Sequence, residues 1–133
     1  MIHSLAILST ALLFGGMTLY SFGFAAFLFS ALPAATAGQA LRQAFPWFYG
    51  FVMVTASLAA AFWWLASAVS AVPAVSLVTV ALTALVARQI LMPAINAATD
   101  AGQRQRFKWL HGLSVVITLC HIAATGWLLA TIV

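Results

Sequence analysis

Residues 88–108 read RQILMPAINAATDAGQRQRFK and hold Arg88, Asp100, Arg104, Arg106 and Lys108. The 133-residue chain has 5 basic and 1 acidic side chains, so only Arg42 lies outside this stretch. The remainder is almost free of charge, and it divides into four apolar runs long enough to cross a bilayer core about 30 Å thick, which takes roughly 20 helical residues. The pattern predicts an all-α integral membrane protein, a four-transmembrane-helix bundle forming one domain over residues 1–133.

Composition agrees. Apolar residues make up 65% of the chain and charged ones 5%, against about 25% charged in a soluble domain. A net charge of +4 spread over so few cations is no nucleic-acid footprint; basic loops beside apolar spans set orientation or meet anionic lipid. Cys120 is the only cysteine, so no intramolecular disulfide can form. Residues 1–32 carry no basic side chain and exceed a signal-peptide core, and they read as a retained first span.

The expected spans are residues 2–31, 46–70, 74–92 and 107–132. Pro33 ends the first. Residues 34–45 read as a loop or interfacial helix carrying Gln39, Arg42 and Gln43, and Pro46 opens the second span. Trp47 and Tyr49 then fall where an aromatic belt belongs. Residues 67–75 form an uncharged turn containing Pro73, and Pro93 ends or kinks the third span. All five cations fall in loops 32–46 and 93–107 or at their edges. Because cytoplasmic loops collect Lys and Arg, the topology places both loops in the cytoplasm and both termini outside it, in a bacterial inner membrane.

Within the fourth span, His111, Ser114, Thr118, His121 and Thr125 recur at spacings of 3 and 4, which sets them along one helical face. Polar groups in hydrocarbon face other helices. The seam therefore points into the bundle, either as interhelical glue or as the wall of a cofactor site. His121 lies about 18 Å along the helix from Phe107, where an ionisable side chain is costly. One reading is a neutral imidazole bonded to a hydroxyl. The other is a haem b ligand with Met17 as second ligand and Thr118 alongside. His3 and His111 begin spans at opposite faces and cannot share one iron.

Arg88, Asn96, Asp100, Arg104 and His111 form a second candidate group near the cytoplasmic face, converging with Trp47 and Tyr49 on an anionic head group or small anion. No metal site, nucleophile–base pair or phosphate loop is written in the chain. Ala11, Gly15, Gly16 and Gly23 are small residues that permit close helix approach.

Several stretches carry a resemblance. They are Met1-Ile2-His3 with Gly15-Gly16-Met17, Ala31-Leu32-Pro33, Phe45-Pro46-Trp47-Phe48-Tyr49, Ala87-Arg88-Gln89-Ile90-Leu91-Met92-Pro93, and Phe107-Lys108-Trp109-Leu110-His111-Gly112-Leu113-Ser114. In these the chain resembles the transmembrane protein 205-like family, which implies a small integral membrane protein of about four spans. Met92 stands where an acidic residue can precede the proline in that family, and Thr118 where an amide can follow the His-Gly-Leu-Ser segment.

Three functional readings follow. The first is a non-enzymatic bundle in the lipid bilayer, acting as a homo-oligomer or as an accessory subunit of a larger membrane complex. The second is a haem- or porphyrin-binding membrane protein using His121. The third is a small-solute transporter with the span-four seam as its path.

Overall fold

The computed structural model describes residues 1–66 and 70–132. Ser67, Ala68 and Val69, at the expected end of the second span and start of the following turn, lie outside the described residues, as does Val133. Four helical rods result: α1 (Ile2–Ala31), α2 (Ala34–Ala66), α3 (Val72–Asp100) and α4 (Arg104–Ile132). Each is long and apolar enough to cross a membrane. At 1.5 Å per residue the 29-residue α4 spans about 44 Å. That exceeds the hydrocarbon thickness of roughly 30 Å, so rod ends extend past the apolar layer or tilt within it.

Large apolar side chains cover the outside. Leu8, Phe22, Val54, Trp64, Leu65 and Ile90 are each more than 60% exposed. A water-soluble monomer does not tolerate apolar surface on this scale. The four rods and their apolar exterior make the chain an integral membrane protein in a lipid bilayer.

The most buried rod is α2, which packs extensively against both α1 and α3. Its contact face reads Val52, Thr55, Ala56, Ala59, Ala60 and Trp63. The alanines shorten the distance between rods. In lipid that matters, because apolar burial drives little association and close van der Waals contact carries it instead. On α1 the facing residues Ala6, Thr10, Leu13 and Met17 are fully buried at spacings of 4, 3 and 4, the signature of one helical stripe.

The prolines fix where the rods begin and continue, and Pro46 acts differently from its sequence reading. Leu32 is extended at φ −127° and ψ 154°, the conformation forced on a residue before proline. Pro33 then starts the next helix, with its carbonyl accepting from the Ala37 amide at 2.9 Å. Residues 34–45 are therefore the first turns of α2, and Pro46 lies inside that helix rather than at its start. Pro93 does not end α3 either. The rod continues to Asp100, with a π-helical stretch over Ala87–Leu91 just before the proline. Pro93 has no N–H for the Gln89 carbonyl, and the π-helical stretch spans that carbonyl. A second π-helical stretch covers Leu19–Phe24 in α1.

The link between α3 and α4 is correspondingly short. Gly102 takes φ 64°, and the amides of Gly102 and Gln103 bond the carbonyls of Thr99 and Ala98 at 3.1 and 2.9 Å. This is a Schellman stop, which requires a left-handed residue that glycine supplies without strain.

Candidate functional site

The polar face of α4 points inward. Ser114, His121 and Thr125 are buried and Thr118 is half-buried, while His111 at the charged end is exposed. Each hydroxyl first satisfies its own helix: Ser114 donates to the His111 carbonyl at 2.7 Å, Thr118 to Ser114 at 3.0 Å and Thr125 to His121 at 2.8 Å. These bonds occupy the hydroxyl protons locally. Two members of the seam also reach other rods, His121 toward Thr83 of α3 and Thr118 toward Tyr49 of α2.

His121 Nε2 lies 2.6 Å from the Thr83 hydroxyl oxygen on α3. Thr83 in turn donates to the Thr79 carbonyl at 2.7 Å. With that proton committed, Thr83 is placed to accept from an Nε2–H. His121 is thus bonded to a hydroxyl. Met17 is fully buried in the α1–α2 core, and Thr118 stands beside the Tyr49 phenol. Thr83 is a residue the sequence reading missed. The spacing of Thr79 and Thr83 along an apolar span was the available signal.

A second interhelical bond lies toward the opposite end. The Trp63 indole N–H donates to Thr10 Oγ1 at 3.0 Å, both groups being buried, and Thr10 donates to the Ala6 carbonyl at 2.7 Å. The His3 ring meets Trp63 edge-on at 5.1 Å. His111 stacks on Phe107 at 5.3 Å, near the start of α4. The three histidines therefore occupy separate places in the bundle.

At the charged end the structure chooses one pair. Both terminal guanidinium nitrogens of Arg42 donate to Asp100, at 2.6 and 2.9 Å, in a bidentate contact. Through that hydrogen bond first, and the positive charge second, Arg42 holds the Asp100 carboxyl below its ordinary value. Of the residues expected to converge here, Asn96 is half-buried, Arg104 is exposed, and His111 faces Phe107. Trp47 points outward at 81% exposure, as a belt residue should, whereas Tyr49 is 3% exposed and belongs to the core. Tyr49 stacks on Phe45 at 6.2 Å and Tyr20 on Phe48 at 4.2 Å, so an aromatic layer fills the interior near this end.

Two buried side-chain polar atoms lack a hydrogen-bond partner among the described residues, Tyr20 Oη and Arg88 Nε. Each sits on one of the two π-helical stretches. No group of three or more His, Cys, Asp or Glu side chains able to hold a metal occurs among the described residues.

A family model described as Domain of unknown function (DUF4149) matches residues 8–104. No curated protein and no solved structure matches the chain. The matched segment holds Arg42, Thr83, Arg88 and Asp100, and it stops at the first residue of α4, before His121. On that match the chain belongs to the DUF4149 family.

Proposed function

We propose that the protein is a non-enzymatic helical bundle that works as a homo-oligomer or as an accessory subunit of a larger membrane complex. The observation that carries this reading is the use made of the interior polar groups. His121 is bonded to Thr83, Trp63 to Thr10, and the α4 hydroxyls to their own backbone. Such bonds hold helices together in lipid. Groups committed in this way are glue rather than catalysts.

Association then uses the outer face of α1. Ala11 and Gly15 are exposed one turn apart, and a Cβ built on Gly15 meets nothing within 4 Å. This small-xxx-small spacing lets a partner helix come close. In this reading the cation-bearing ends at Arg42 and Lys108 face the cytoplasm and both termini lie opposite.

Mass analysis of the protein in mild detergent tests it. The expected result is an oligomer, or a copurifying membrane partner, that Gly15→Leu dissociates without changing the thermal stability of the bundle. A strictly monomeric wild-type particle with no partner contradicts the proposal.

A further inference from the structure

We propose that Arg88 holds the phosphate group of an anionic membrane lipid against the side of the bundle. The argument begins with charge. Asp100 is the only acid in the chain, and Arg42 occupies both of its oxygens. Among the described residues, Arg88, Arg104, Arg106 and Lys108 are left with no carboxylate. A second copy of the chain brings none either, because its own Asp100 is engaged in the same way. The counter-ion must come from elsewhere.

Arg88 differs from the other three cations in position. Arg104, Arg106 and Lys108 are exposed on the first turns of α4. Arg88 lies further from the charged end, 12 residues before Asp100 in α3, which at 1.5 Å per residue is about 18 Å. Its Nε is buried and meets no acceptor among the described residues. An arginine that merely snorkelled to water would keep its whole guanidinium free. Here the inner edge is sealed against protein while the rod beside it, at Val86 and Ile90, is exposed to lipid at 54% and 66%.

Depth selects the ligand. The 29-residue α3 is about 44 Å long against a core of roughly 30 Å, so its charged end overruns the apolar layer, and a long side chain from Arg88 reaching toward that end comes within reach of the phosphate layer. A guanidinium presents planar paired donors that match phosphate oxygens, and it stays charged in this setting. An oxyanion there is met by the outer terminal nitrogens of the guanidinium, while Nε stays against protein. The apolar flank of α3 takes the acyl chains. The α4 cations add long-range attraction for an anionic surface, and with no acid in that helix's first turn they enlarge the positive potential of its N-terminus.

The test uses the full chain in detergent, with native mass spectrometry against phosphatidylglycerol, phosphatidylcholine and inorganic phosphate. Wild type should keep one phosphatidylglycerol in preference to phosphatidylcholine, and Arg88→Gln should weaken that retention at least roughly tenfold, the scale of one charge-assisted bond. Replacing Arg104, Arg106 and Lys108 together by Gln should lower the salt dependence of retention but leave the lipid bound. Displacement of the lipid by millimolar phosphate would confirm the oxyanion site and assign it to a free anion. Equal retention of phosphatidylglycerol by wild type and Arg88→Gln overturns the proposal. Should Arg88→Gln fail to fold, the wild-type protein decides: a thermal stabilisation by phosphatidylglycerol no greater than that by phosphatidylcholine also overturns it.

Discussion

Arg42 and Asp100 meet through two hydrogen bonds of 2.6 and 2.9 Å although they lie 58 positions apart. The contact ties the start of α2 to the end of α3. Both rods must therefore present those ends to the same face of the membrane. Its energetic worth is small, since the two side chains are 42% and 60% exposed and exposed pairs contribute little. Its geometric content is large.

The pair titrates at its acid. The Asp100 carboxyl is held below its ordinary value by Arg42, so the contribution of the pair is present above the unfolded carboxylate value near 4 and is lost as pH falls through the lower folded value. Thermal unfolding in detergent should show no change from this pair between about pH 7 and pH 5. Asp100→Asn should remove whatever acid-dependent part below pH 4 belongs to it. A wild-type and variant difference that appears only at alkaline pH would contradict the assignment.

The His121–Thr83 bond predicts a measurable coupling. In a double-mutant cycle with His121→Phe and Thr83→Val, the interaction should come to about 0.6 to 2 kcal/mol, the range of interhelical hydrogen bonds in lipid. Steric unfolding denaturation monitored by fluorescence checks it. Strict additivity of the two substitutions would show that the groups do not interact.

Adjacent glycines should respond oppositely. A Cβ at Gly16 would stand 2.5 Å from Phe51 Cζ, so Gly16→Ala displaces that ring and should cost about 1–3 kcal/mol. Gly15 has open space, and Gly15→Ala should be neutral or stabilise the helix by up to roughly 1 kcal/mol. Comparable losses at both positions would mean that α1 is rotated from its described facing.

Much of the bundle was legible because lipid imposes its own grammar. Charges cannot sit in hydrocarbon, so Arg42 and the 88–108 segment marked the ends of spans, and the 3–4 spacing of Ser114, His121 and Thr125 marked an inward face. Pro46 misled as the start of a span, and Pro93, read as ending or kinking its span, lies inside it for a related reason. In water an interior proline breaks a helix, but in a membrane bundle neighbouring rods and local π-helical adjustment satisfy the freed backbone. Thr83 escaped notice because two threonines four apart, Thr79 and Thr83, each able to bond its own helix, do not reveal which rod they face. The partner of Asp100 was equally hidden: five cations and one acid admit five pairings, and only the packing of α2 against α3 selects Arg42.

The central claim is that both cation-bearing ends share one aqueous compartment. Single cysteines at the exposed positions Gln43 and Lys108, made in a Cys120→Ala background with Ser4→Cys as the reference for the opposite face, test it with a membrane-impermeant thiol reagent on oriented vesicles. The account predicts that Gln43→Cys and Lys108→Cys are labelled from the same side and Ser4→Cys from the other. Labelling of Gln43→Cys and Lys108→Cys from opposite sides would contradict it.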